Sequence, residues 1–295
     1  EASWFPVICE VKNDGPPFTA LFELSSGVYN QSQTRAMVVE LPTGTLKRFT
    51  VPAFSTTRYN SLWNARLLDE RGKVRAEQNN LRPRKQMGWE SPLIGSLART
   101  VGGVPAIQPI LPRQTDLQPA SARLQPVLFP DNPLVLEGLD ALYLNSEKAV
   151  ELKVNQVNAL LTWLHAGGHL IVGVEQIADI NSSPWLRNVF PCELNAMRTV
   201  QRHAELQDWL RAAGGPALAT NKLLSTPAPP TRGRSNRTPA PTAVPFSEMA
   251  DDADFEKADL AVAVGALRDG RVMVGTAETP LIVAANRGRG RITAL

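Results

Sequence analysis

The stretch from Leu139 to Val174 constrains this chain more than any other. Leu139-Asp140-Ala141-Leu142-Tyr143-Leu144 reads as a buried strand. Val157, Leu160, Leu161 and Leu164 then recur at i, i+3, i+4 and i+7, the apolar stripe of an amphipathic helix. Gly167-Gly168 ends that helix, because glycine accepts the left-handed backbone that a helix C-terminus uses. His169-Leu170-Ile171-Val172-Gly173-Val174 follows at once as a second strand. Strand, helix and strand with short connections predict a crossover between neighbouring strands of a parallel sheet.

The first eighty residues have a different grain. Val7–Val11, Phe18–Leu24, Met37–Leu41, Leu46–Val51 and Tyr59–Leu68 are short apolar or alternating runs. Turn sequences such as Asn13-Asp14-Gly15-Pro16-Pro17, Pro42-Thr43-Gly44 and Asp69–Lys73 separate them. No helical stripe interrupts them, so residues 1–80 are expected to form an antiparallel β-sandwich. Residues 81–91, with Arg82, Arg84 and Lys85 around Pro83, read as a linker. A length of 295 residues fits two such units.

Within residues 92–295 the sequence predicts a short helix over Pro92–Val101, ended by Gly102-Gly103, and a weak strand over Ala106–Leu111. A second amphipathic helix is expected over Val200–Ala213 with Thr199 as N-cap, its face formed by Leu206, Trp209, Leu210 and Ala213. Residues 225–247 are rich in proline, serine, threonine and alanine, carry Arg232, Arg234 and Arg237, and read as a mobile surface loop. Near the end, Leu260–Val264 and Val272–Val274 flank the hairpin signal Arg268-Asp269-Gly270. Leu281–Ala285 and Arg291–Leu295 flank a second one at Arg287–Gly290. These antiparallel pairs are expected to extend the edge of the parallel sheet. Trp4-Phe5-Pro6-Val7 already reads as structured, and Arg291–Leu295 as half a strand, so the sequence is expected to be a piece of a longer protein.

Composition narrows the function classes. A net charge of +3 is too small an excess to mark a polyanion binder. The arginines of the 225–247 segment lack interleaved aromatic residues for base stacking, so no nucleic acid is expected. No uncharged apolar run reaches 18 residues, so no membrane span is expected within this sequence. Two cysteines and three histidines provide neither a disulfide scaffold nor a zinc cage. Cys9 lies in a strand and Cys192 follows Phe190-Pro191, with no base beside either, so both are expected to be inert thiols. No G-x-S-x-G elbow is present. His165 and His169 straddle a helix end and cannot share one face as a metal pair, and His203 lies elsewhere. Asp251, Asp252, Asp254 and Glu256 lack the glycine and final glutamate of a calcium loop. The sequence offers no catalytic set, no cofactor site and no metal site. It does offer a candidate pocket. Ligands of open α/β sheets bind beyond the carboxyl ends of the strands, and here those ends bring Asn145, Ser146, Glu147, Gly173 and Glu175.

The run from Leu139 to Val174 resembles the core of class I glutamine-amidotransferase-like (flavodoxin-like) domains. The closing Pro280-Leu281-Ile282-Val283 and Gly288-Arg289-Gly290-Arg291-Ile292 are similar to that family's final hairpin. Cys9-Glu10-Val11-Lys12-Asn13-Asp14-Gly15-Pro16-Pro17-Phe18 looks like the immunoglobulin-like modules that precede such domains in bacterial membrane-anchored proteins. The resemblance implies an all-β plus α/β chain: an immunoglobulin-like β-sandwich, then an amidotransferase-like domain with a mainly parallel sheet. It also locates where the chemistry would be. The family's G-x-C-x-G elbow falls on Gly173, but Glu175 stands in the cysteine position and Ile177 in that of the second glycine. The glutaminase reaction is therefore not carried over. The resulting expectation is a non-catalytic, extracytoplasmic binding or scaffolding module of a membrane-anchored protein, with a protein or envelope component as partner. The alternative is a hydrolase-like or carbohydrate-related enzyme that binds a small molecule and uses Glu147 or Glu175 as general base.

Overall fold

A computed structural model describes residues 3–26, 33–55, 62–83, 91–104, 119–201, 204–213 and 253–295. Six strands come first: β1 (Ser3–Asn13), β2 (Phe18–Ser26), β3 (Thr34–Leu41), β4 (Thr45–Ser55), β5 (Trp63–Leu68) and β6 (Val74–Leu81). β1 pairs with β4, and the other four form a sheet in the order β3-β2-β5-β6, all antiparallel. Alternation decides which residues enter the interior. Along β1, Phe5, Val7, Cys9 and Val11 turn inward while Ile8 and Glu10 face solvent. They meet Phe22, Leu24, Trp63 and Leu67 of the other sheet in one apolar cluster. Edge-on ring pairs, Phe5 with Trp63 and Phe22 with Phe49, span the two sheets. Buried Asn13 fastens one end: its amide nitrogen donates to the carbonyls of Pro16, Leu41 and Pro42, and its oxygen accepts from the Gly15 N–H. The antiparallel strands expected here are observed.

The second sheet has seven strands: β7 (Leu93–Leu97), β8 (Ala120–Arg123), β9 (Ala141–Asn145), β10 (His169–Gly173), β13 (Arg271–Gly275), β14 (Pro280–Arg287) and β15 (Gly290–Ala294). Its order is β13-β14-β15-β10-β9-β7-β8. From β8 to β15 all neighbours are parallel, while β14 and β13 run antiparallel at the edge. The predicted crossover is present. Helix α1 (Val154–Ala166) joins β9 to β10, and these strands pair in parallel from Leu142↔Leu170 to Asn145↔Gly173. Gly167 ends α1 at φ 138°, a backbone that favours glycine. The stripe of α1 packs on Leu142, Leu144, Leu170, Val172 and Ile292, so one face of the parallel strands is fully buried. The opposite face carries Tyr143, His169, Ile171 and Thr293, all half-buried.

The structure corrects three expectations. Leu93–Leu97 is a central strand, not part of a helix over Pro92–Val101. It is flanked on both sides, and a side chain on Gly95 would lie 2.9–3.0 Å from Leu142, Leu124 and Leu139. A five-residue apolar run has no period to separate strand from helix, and neighbours decide it. Helix α4 (Ala204–Ala213) starts after Val200, because Thr199 and Val200 pair with Ala261 and Leu260. They belong to β11 (Cys192–Val200), whose antiparallel partner is β12 (Leu260–Leu267). The expected hairpin between Leu260–Val264 and Val272–Val274 therefore does not form. The N–H groups of Arg268 and Asp269 both donate to the Pro191 carbonyl, which ties that turn to the start of β11. The second expected hairpin, β14 with β15, forms as read. The proposed strand Ala106–Leu111, the loop 225–247, His203, Asp251 and Asp252 lie outside the described residues. Short helices α2 (Ile177–Ser182) and α3 (Pro184–Val189) follow β10.

The two apolar clusters draw on separate stretches of chain, residues 5–81 and 97–294. A 3-10 turn at Pro133–Leu136 packs against β1 and β4, and a side chain on Gly138 would come within 3.2 Å of the Trp4 carbonyl oxygen.

Candidate functional site

Three strands deliver their carboxyl ends to one place. β9 ends at Asn145, whose side-chain oxygen accepts from the Glu147 N–H and starts a 3-10 turn over Ser146–Glu151. β10 ends at Gly173 and leads into Glu175 and α2. Ser146 is fully buried and joins the two strand ends: its Oγ accepts from the Glu175 N–H at 2.8 Å and donates to Asp179 Oδ2 at 2.7 Å. Asp179 also accepts from the Gln176 N–H, closing the first turn of α2. From the end of β7, Arg99 reaches across to both glutamates. Its Nε lies 2.8 Å from Glu147 Oε2 and its Nη1 2.6 Å from Glu175 Oε1. The remaining Glu175 oxygen, Oε2, accepts from Asn145 Nδ2 at 3.2 Å.

The structure thus joins Asn145, Ser146, Glu147 and Glu175 in one network. Gly173 adjoins it for another reason. A Cβ there would sit 2.5 Å from the Tyr143 hydroxyl, so glycine makes room for that ring. Arg99 and Asp179 were not among the sequence candidates. Arg99 follows a stretch read as helix, which hid its position at a strand end. Asp179 carries a usable signal, an acid three residues after the N-cap Gln176.

Each Glu175 oxygen accepts from one donor, Arg99 on Oε1 and Asn145 on Oε2, which holds the carboxylate in place and favours its ionised form. Among the described residues, no group of three or more His, Cys, Asp or Glu side chains is placed to hold a metal ion. The thiols lie elsewhere. Burial in the sandwich pushes Cys9 up to about 11. Cys192 begins β11 opposite Leu267, and burial followed by the charge of Asp269 raises its pKa. Neither is a ready thiolate.

His169 lies at the other end of β10. Its Nδ1 faces Arg291 Nη2 at 3.0 Å and its Nε2 faces Thr293 Oγ1 at 2.9 Å. A guanidinium can only donate, so Nδ1 accepts, and the neutral ring carries its proton on Nε2. Burial, and then the Arg291 charge, push this histidine down to about 4. The unfolded chain takes up this proton near pH 6.5, the folded one only near 4. The stability from neutral His169 is therefore complete above pH 6.5 and lost as pH falls toward 4. With solvent screening at a half-buried ring, the loss is on the order of 1–2 kcal/mol. Denaturant titrations at pH 7 and pH 4.5 check this. The difference between the two should shrink by that amount in His169→Asn; an unchanged difference would contradict the assignment.

No curated protein matches the chain. Residues 1–83 match the family model described as "Domain of unknown function (DUF8726)". The match ends two residues past β6 and leaves the seven-stranded sheet outside it. A solved structure with some likeness is a calcium-binding mutant of Bacteroides uniformis beta-glucuronidase 2, at 12% identity and a TM-score of 0.22. The alignment covers 59% of this chain and 22% of that one. At that TM-score it carries no argument about fold or chemistry.

Proposed function

We propose that this chain is a non-catalytic, extracytoplasmic binding or scaffolding module of a membrane-anchored bacterial protein. In this reading an immunoglobulin-like β-sandwich precedes a degenerate amidotransferase-like domain. The strand order supports the second half. Counted along the chain, the parallel strands lie in the order second, first, third, fourth, fifth, the doubly wound order of flavodoxin-like sheets. The observation that carries the loss of catalysis is at Glu175. It stands where the related domains carry their nucleophile, and its carboxylate is clamped between Arg99 and Asn145. The enzyme reading, with Glu147 or Glu175 as base, is weaker because taking up a proton on either carboxylate would weaken its ion pair with Arg99. No helix among the described residues is long and apolar enough to cross a membrane, so the proposed anchor would lie in another segment of the protein.

The test is on the full-length protein in its host. Protease added to intact spheroplasts should cut this module, and a protected module would overturn the placement. Glu175→Gln is expected to leave folding and partner binding intact, at a cost under about 1 kcal/mol for a solvent-exposed ion pair. A selective loss of a measured turnover in that variant would instead revive the enzyme reading.

A further inference from the structure

Two adjoining hollows, of about 360 and 250 Å³, lie between α2, α3 and the start of β11. Asn181, Arg187 and Glu193 line both, Asn195 borders the larger, and Asn188 and Arg268 border the smaller. They share no residue with the Arg99 network. They lie about 20 Å along β11 from Val200, near which the described residues break off. The charges in this groove are held apart. Arg268 is tied by its N–H to the Pro191 carbonyl and by Nη1 to the Arg187 carbonyl at 2.7 Å, which lays its guanidinium across the end of α3. Glu193 is held on β11 opposite Ala266. Among the described residues, no ion pair or hydrogen bond engages the Arg187 guanidinium or the Glu193 carboxylate, although both border the same space. Elsewhere Arg66, Arg75, Arg99 and Arg287 each hold a carboxylate.

The backbone beside the groove is shaped as well. The β11–β12 ladder shifts between Leu194 and Ala196, so Asn195 is an extra residue with no partner on β12. Such bulges occur beside functional sites, where they re-aim a side chain. This one depends on Gly265, where a Cβ would collide with the Glu193 carbonyl oxygen. The bulge thus brings an amide to the groove two residues from the unpaired carboxylate. Guanidinium groups only donate, and their planar fork suits a carboxylate. A carboxylate only accepts, and suits an ammonium group. A simple anion here would face Glu193, and a simple cation would face two arginines. A molecule carrying both charges meets each with its opposite.

We propose that this groove binds a small zwitterion, its carboxylate at Arg187 and Arg268 and its ammonium group at Glu193. The three asparagine amides then hydrogen-bond the atoms between. The probes are glycine, β-alanine, γ-aminobutyrate and ε-aminocaproate, with diglycine and triglycine, titrated into the intact chain and followed through its amide NMR signals. Acetate and methylamine, with one charge each, are the controls. At least one zwitterion should bind saturably and at least tenfold more tightly than either control, and affinity should peak at one charge separation. Tightest binding by an amino acid assigns a free amino acid; tightest binding by diglycine or triglycine assigns a short peptide with both termini free. Arg187→Gln and Glu193→Gln remove charges that hold no other bond, so both variants should melt as the parent does. Each should reduce the affinity at least tenfold. The proposal fails if no zwitterion binds saturably, if a control binds as tightly, if affinity is independent of charge separation, or if either variant binds as the parent does.

Discussion

Replacing Gly290 with alanine is expected to destabilise the second apolar cluster by about 3 kcal/mol or more. A Cβ at this position would lie 1.8 Å from the Leu164 carbonyl oxygen and 2.4 Å from that of Gly168. Both obstacles are backbone, so no side-chain rotation relieves them. The same junction holds two hydrogen bonds, from the Arg289 N–H to His165 and from the Arg291 N–H to Gly168. Moving β15 away to make room would break them and lift Ile292, which is fully buried, off Leu164. Gly102→Ala is the control. Its site has nothing within 4 Å and no positive φ, so the change should stay within about 0.5 kcal/mol. Urea unfolding of the two variants decides it. Equal midpoints would mean that β15 does not approach the end of α1 this closely.

Gln156→Leu should cost about 3 kcal/mol although the new side chain is more apolar and similar in size. Gln156 is only 5% exposed. Its Oε1 accepts from the Lys153 N–H at 2.8 Å, completing the first turn of α1. Its Nε2 donates to the carbonyls of Pro126 and Phe129 at 2.8 and 2.7 Å. Leucine would strand the Lys153 N–H and the Phe129 carbonyl, while the Pro126 carbonyl keeps the Phe129 N–H; each buried group left without a partner costs about 1–3 kcal/mol. Thr162→Ala removes a comparable bond, to the Asn158 carbonyl, at an exposed position where water replaces it. That change should be near zero. A loss under about 1 kcal/mol for Gln156→Leu would show that residues 126–129 are held by other contacts.

These two positions also mark the boundary of what the sequence discloses. The crossover was legible because α1 writes its period in Val157, Leu160, Leu161 and Leu164 and closes on paired glycines. The amino-terminal antiparallel strands were legible through their turns and through alternation along β1. β7 was not, since Leu93-Ile94-Gly95-Ser96-Leu97 carries no period and its strand character comes from β8 and β9 on either side. The β11–β12 ribbon was missed for a related reason. Its strands are separated by some sixty residues, and the turn at Arg268–Gly270 advertised a nearer partner. At the candidate site the strand-end rule found Asn145, Ser146, Glu147 and Glu175. It could not find Arg99 while the preceding strand was read as a helix, nor that this one cation would engage both glutamates.

The turn at Pro133–Leu136 joins the amino-terminal strands to the rest of the chain by a second, non-covalent route. The covalent chain leaves β6 and reaches β7 through residues 84–90, but the turn also bears directly on β1 and β4. It continues into the segment where Asp140 and Leu93 bond each other at the starts of β9 and β7. The amino-terminal strands therefore touch the segment that leads to the starts of β9 and β7, the two strands whose opposite ends lead to Asn145 and Arg99.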